Sequence, residues 1–343
     1  MKALIYEGPK VLTVQERPEP SPAAGQVKLK IRACGICGSD TAGYLGKTGR
    51  RNPGLVMGHE FAGEIVEIGE GCKLGYQVGD RVSVQPKEFC GDCPDCELGY
   101  TNVCGVGKPL MGCIDVDGAF EEYLCVNEKL LYKMPENMTY LEGALIEPFA
   151  VAYGGVCKAG DLKGKNVLVI GGGTIGAMAL CIVKTMGAKN VIVSDLSDVR
   201  LETAKKLGAD YTINPAGKDI KEEVKKILGG ELCDVALEAV GITPTVQQAM
   251  AALKNRGTCV WIGNNWKMIE INMQEIVTQE LTVRGTYIYT HKEFGEAMEF
   301  IAANDLAINT IVSEVIPLEK APELFDAIIA DPNQYLKVVV TFD

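Results

Sequence analysis

The chain has 343 residues, 47% hydrophobic and 23% charged, which is enough for two cores without a disulfide staple. A net charge of −11 argues against a nucleic-acid partner, and no apolar run nears the roughly 18 residues that span a membrane. Thirteen cysteines, an odd number, and an N-terminus without a long apolar stretch predict reduced thiols and a cytoplasmic location.

The first 150 residues read as strands KALIY, VKLKIRA, FAGEIVEIG, RVSVQP and EEYLCV, broken by Gly- and Pro-rich turns. They predict a β-rich domain over 1–150. From Lys165 the pattern changes. Strands NVLVI, NVIVSD, YTI, CDVALEAVG, TCVWIG and LTVRGT alternate with helices expected over 174–186, 199–207, 220–228 and 245–253. Such alternation predicts an α/β domain with a doubly wound parallel sheet, here 151–286. Residues 287–343 read as a helix, a turn, a second helix over 318–329 and a last strand, LKVVVTF.

The strand ending at Ile170 runs into Gly171-Gly172-Gly173-Thr174-Ile175-Gly176 and then a helix. This is G-x-G-x-x-G in the strand–turn–helix setting that cradles a pyrophosphate. Gly171 permits the turn, Gly173 lets phosphate approach and Gly176 lets helix pack on strand. Asp195 ends the next strand, 19 residues past Gly176 (195 − 176), close to the spacing of about 20 for a ribose-binding carboxylate. It accepts ribose hydroxyls and repels a 2′-phosphate, so NAD is favoured over NADP. Arg200 is a nearby cation that leaves NADP open.

Cys90-x2-Cys93-x2-Cys96-x7-Cys104 offers four thiolates on one short loop. A closed tetrahedral zinc with a structural role fits them, and an iron–sulfur cluster uses similar ligands. Cys37, His59, Glu60 and Glu147 are scattered along the first half. One thiolate, one imidazole and one carboxylate would make an incomplete tetrahedral shell, with a corner left for water or substrate. Spacing alone does not bring these residues together.

The order of Cys37-Gly38-Ser39-Asp40, GHEFAGEIVEIG, the cysteine loop, IEPFAVA and GGGTIG resembles the zinc-containing medium-chain alcohol and polyol dehydrogenases over essentially the whole chain. Within them it is most similar to sorbitol, butanediol and galactitol-1-phosphate dehydrogenases. The resemblance implies a GroES-like β-rich catalytic domain and a Rossmann domain, with the tail returning to the first. It implies one catalytic and one structural zinc, NAD, a small secondary alcohol as substrate, and a homodimer or homotetramer.

By position, Cys37 and His59 would ligate zinc together with Glu60 or Glu147. Asp40 would orient His59, and Ser39 would take the substrate proton. Val240, Ile262, Gly263, Tyr287 and Ile288 would line the cofactor cleft, and the Lys337 cation would face the pyrophosphate. Many relatives carry a relay histidine where this chain has Ala42. The relay would then end through water, the ribose hydroxyls or Tyr44.

The basic run Lys47-Thr48-Gly49-Arg50-Arg51 reads as a solvated loop, or as a site for a substrate phosphate or carboxylate. His291 reads as an ordinary residue at a helix start, and Trp261 and Trp266 as flanking the cleft. Two rivals remain open on sequence: a non-catalytic NAD-binding protein with structural zinc only, and a zinc-free reductase.

Overall fold

The computed structural model describes residues 1–343, which divide into two compact units. The first comprises 1–147, 290–303 and 312–343; the second comprises 148–289 and 304–311. The tail 287–343 therefore belongs mostly to the first unit, apart from 287–289 and 304–311.

The first unit is built on a seven-stranded sheet. Its path runs Val312–Pro317, Lys337–Thr341, Gln26–Ile36, Glu60–Ile68, Arg81–Val84 and Leu131–Lys133, with Tyr123–Asn127 also paired to Gln26–Ile36. A second sheet joins Val11–Glu16, Lys2–Gly8 and Leu55–Val56. Alternation in QVKLKIRACGI buries Val27, Leu29, Ile31 and Ala33 on one face, as a half-covered strand requires. From Ala33 to Ile36 every residue is buried, so this end of the strand is covered on both faces.

Register does the rest. Gly35 pairs with Glu60 and Ile36 pairs with Val338. Cys37, His59, Glu60 and Lys337 consequently gather at one end of the sheet, although they lie far apart in the chain.

The second unit holds a parallel sheet in the order Tyr211–Ile213, Asn190–Ser194, Asn166–Ile170, Cys233–Glu238, Leu253–Trp261, Thr282–Gly285. The strand order reverses between Asn166–Ile170 and Cys233–Glu238. Ligands of doubly wound sheets bind at the carboxyl ends of the strands flanking such a switch point. The turn at Gly171 and the loop at Val240 lie there.

Among the elements that the sequence reading did not expect are these three. Tyr140–Cys157 is one 18-residue helix with Pro148 inside it. Its apolar residues surround the helix, so no 3.6-residue stripe betrays it. Val312–Pro317 is a strand parallel to Lys337–Thr341, where only a turn was expected. Gly38–Tyr44 is a short helix capped by Cys37, whose thiol accepts from the Ser39 N–H.

Candidate active site

The glycine turn has the geometry of a phosphate cradle. Gly171 has φ +97, open to glycine at little cost, and a Cβ there would meet Val240 Cγ2 at 2.7 Å. A Cβ on Gly176 would overlap the Gly171 carbonyl oxygen, so the helix can pack on the strand only with glycine. Around Gly173 there is open space: a Cβ would meet nothing within 4 Å. The Gly172 N–H donates to Asp195 Oδ2 at 2.7 Å and the Ser197 N–H to Oδ1 at 2.8 Å. Asp195 is thereby fixed against the turn. Arg200 Nη1 lies 3.6 Å from the same carboxylate, so its charge is engaged by Asp195. Thr174 and Ile175 open the helix Thr174–Thr185.

Around this turn the other expected cleft residues differ in character. Gly263 closes on Val240 and Gly241, and a Cβ would have no room. Ile262 is buried, with its side chain filling the space at Gly155. Tyr287 is exposed and Ile288 takes a left-handed φ of +42. Trp261 packs against the core of this unit, whereas Trp266 is exposed.

The cysteine loop brings Cys90 and Cys104 sulfurs to 3.5 Å, Cys90 and Cys96 to 3.8 Å, and Cys93 and Cys104 to 3.9 Å. A tetrahedral zinc with Zn–S near 2.3 Å sets its sulfurs about 3.8 Å apart. In an iron–sulfur cluster the four thiolates are divided among two or four irons, which spreads the sulfurs further. The donors therefore fit one ion. Backbone N–H groups of Cys90 and Gly107 point at Cys104 Sγ and hold its thiol low, at about 6. His291 braces this loop: its N–H donates to Thr101 Oγ1 at 2.7 Å, and Nδ1 lies 2.6 Å from Tyr132 Oη and 2.7 Å from Gln85 Oε1. It is thus a half-buried anchor at the helix start rather than an ordinary surface residue, and its partial burial lowers its basicity.

At the end of the main sheet, ligand atoms of Cys37, His59 and Glu60 lie within 4.8 Å of one another. Asp40 is fully buried: Oδ2 accepts the Cys37 N–H at 3.1 Å and Oδ1 sits 3.5 Å from His59 Nδ1. That leaves His59 Nε2 toward Ser39 Oγ, 3.5 Å away. Burial works against a charged His59, but Asp40 and Cys37 outweigh it and raise its basicity well above the ordinary value. Burial likewise works against the Asp40 anion, and His59, Arg51 and the Cys37 N–H bring its carboxyl down to about 2. A soft sulfur, an imidazole whose far nitrogen faces a carboxylate, and an electrostatic field that favours cations together suit zinc.

Glu147 is buried in the helix Tyr140–Cys157 but is not a member of the three-ligand group. Lys337 is held against Glu60. It is 3% exposed, and its ammonium donates to Glu60 Oε1 at 2.8 Å, Oε2 at 2.6 Å and the Ile36 carbonyl at 3.0 Å. All three N–H bonds are committed. Tyr44 is similarly spent, its hydroxyl lying 2.8 Å from Asp326 Oδ1 and 2.9 Å from the Lys10 carbonyl. Of the basic run, Lys47, Gly49 and Arg50 are exposed, while Arg51 is buried against Asp40. Sequence reasoning passed over Gly35, where a Cβ would overlap the Glu60 carboxylate. A glycine inside a strand is the signal that could have found it, because it marks a close approach.

Residues 23–136 match the alcohol dehydrogenase GroES-like domain and 174–303 the zinc-binding dehydrogenase domain. The chain is similar to the sorbitol dehydrogenase of Bacillus subtilis (strain 168), 32% identical over 99% of this chain and 97% of that one. An Escherichia coli CFT073 alcohol dehydrogenase solved with NADH is 30% identical, with a TM-score of 0.92, covering 100% of this chain and 99% of the other. Galactitol-1-phosphate dehydrogenase from Escherichia coli is 27% identical, with a TM-score of 0.93 over 100% of both chains. No helix is long and apolar enough to cross a membrane. The chain belongs to the zinc-containing medium-chain alcohol and polyol dehydrogenases, oxidoreductases that use zinc and NAD.

Proposed function

We propose that this enzyme oxidises a secondary alcohol of a polyol, sugar alcohol or vicinal diol to a ketone, passing a hydride to NAD and releasing a proton. The observation that carries the reading is the meeting of Cys37, His59 and Glu60 over a buried Asp40. These three residues would hold the catalytic zinc, and Cys90, Cys93, Cys96 and Cys104 the structural one. Glu60 is preferred to Glu147 because it alone of the two shares the ligand group; each carboxylate oxygen keeps a lone pair beyond its bond to Lys337. When bound, zinc supplies Lewis acidity to an alcohol oxygen and NAD supplies the hydride acceptor.

The chain's own residues do the remaining work. Asp40 fixes the tautomer and ring plane of His59. Ser39 Oγ is exposed beside His59 Nε2 and takes the hydroxyl proton. With Ala42 in place of a histidine and Tyr44 tied to Asp326, that proton leaves through water or the ribose hydroxyls. Asp195 accepts the adenosine ribose hydroxyls and Gly171 to Gly176 receive the pyrophosphate. A cytoplasmic location suits thirteen free cysteines, and a homodimer or homotetramer would be read by light scattering.

The test is a panel of sorbitol, galactitol, 2,3-butanediol, their phosphates where these exist, L-threonine, and ethanol and 1-butanol as primary alcohols, each with NAD and followed at 340 nm. Turnover on at least one polyol is expected. Activity confined to primary alcohols, or to none of the panel with two zincs bound, would refute the substrate class.

A further inference from the structure

Arg51 is the one member of the basic run that leaves solvent. Its side chain is 2% exposed and passes beneath the helix Gly38–Tyr44 at Gly43, where a Cβ would meet Arg51 Cγ at 2.8 Å. Gly43 is therefore the opening through which the guanidinium reaches the interior. Inside, Nη2 donates to Asp40 Oδ1 at 3.2 Å and Nη1 to Cys113 Sγ at 2.9 Å, with the Arg50 carbonyl at 3.4 Å. Both terminal nitrogens are engaged and the Nε–H is buried, so no donor of Arg51 reaches solvent to meet a substrate phosphate.

The contact on Asp40 matters because that one carboxylate touches two ligand residues, the Cys37 N–H and the His59 ring. Asp40 has no exposure to water. Its anion is held in place by what it touches: His59, which titrates, and Arg51, whose charge is permanent. A planar fork anchored at its second arm on Cys113 sets the carboxylate's direction in a way a lysine point charge does not. We infer that Arg51 is a positioning residue for the catalytic metal, acting through Asp40 on His59 and Cys37. The inference rests on the reading that Cys37, His59 and Glu60 bind zinc.

Release of zinc to a chromogenic chelator separates the possibilities, since the four-cysteine site is an internal control. Wild-type enzyme should release two zincs in two phases, and Cys37→Ser assigns the phase that belongs to the catalytic site. In Arg51→Met that phase should accelerate about tenfold, the lower end of what the loss of a ligand-orienting partner costs. The phase of the cysteine loop should not change. Arg51→Lys, which retains the charge and the fold, should fall between the two.

Catalytic-site release within twofold of wild type in both variants would overturn the inference while leaving the two-zinc reading intact. Equal acceleration of both phases would also overturn it, because general loosening moves both sites. A wild-type protein with one zinc would instead remove the underlying reading.

Discussion

Replacing Lys337 with Met would test how the metal-end carboxylate is held. Glu60 and Lys337 are 1% and 3% exposed in their side chains, and the ammonium touches both carboxylate oxygens. Breaking a buried pair from one side leaves an uncompensated charge and costs about 3–5 kcal/mol. With a urea slope of about 2–3 kcal/mol per M, the unfolding midpoint should fall by about 1–2.5 M. Burial opposes the Lys337 cation, but Glu60 and Cys37 outweigh it and lift its value above the ordinary 10.5. A raised lysine stabilises fully below 10.5 and loses that contribution only as pH climbs through the higher folded value, so the pair is intact at neutral pH.

The assay is a urea titration at pH 7 of protein freed of its catalytic zinc, so that Glu60 has Lys337 alone as its counter-charge, followed by far-ultraviolet circular dichroism. Lys2→Met serves as control, since Lys2 and Glu319 form an exposed pair and its loss should leave the midpoint in place. The double variant Lys337→Met, Glu60→Leu should recover most of the loss, because an apolar pair avoids the stranded charge. An unmoved midpoint in the single variant, or a double variant no better than it, would refute the argument.

Three further outcomes are expected. Burial and the Asp117 carboxylate push the Glu121 carboxyl up to about 8, against the pull of Arg17 and the terminal amine. Here the folded state holds a proton that the unfolded chain loses near 4.5. Stability should therefore fall as pH rises from about 4.5 to about 8, by a few kcal/mol, and Glu121→Gln should flatten that fall in urea titrations across the range. Asp195→Ala should lower kcat/KM for NAD and narrow its preference over NADP; an unchanged ratio for the two cofactors would contradict the ribose role. Cys93→Ala should release the structural zinc and lower the melting temperature by several degrees, and a variant that keeps two zincs would contradict the four-sulfur site.

What could be read from the sequence depended on how local each feature is. Cys90 to Cys104 declare themselves because one loop holds all four donors, and Gly171 to Gly176 because strand, turn and helix follow one another. Asp195 stands at a spacing that the βαβ unit sets. Cys37 and His59 are different: what unites them is the pairing of Gly35 with Glu60, a register that spacing does not disclose. The resemblance to a family supplied what the residues alone could not. Charge was the least legible property. In a one-dimensional reading Arg51 belongs to a basic loop open to solvent or an anion, and Lys337 is placed only by resemblance, yet each is buried on a carboxylate that could not be known until the strands were paired. The all-round apolar helix Tyr140–Cys157 escaped for a related reason, since it has no polar face to mark its period.

The most direct measurement is the zinc content of the purified enzyme and of its Cys37→Ser variant, together with NAD binding and NADH formation on a reactive polyol. Two zincs per chain are expected in the wild type and one in the variant, with NAD binding retained and turnover lost. Two zincs and full turnover in the variant would contradict the assignment of Cys37, His59 and Glu60 as the catalytic metal site.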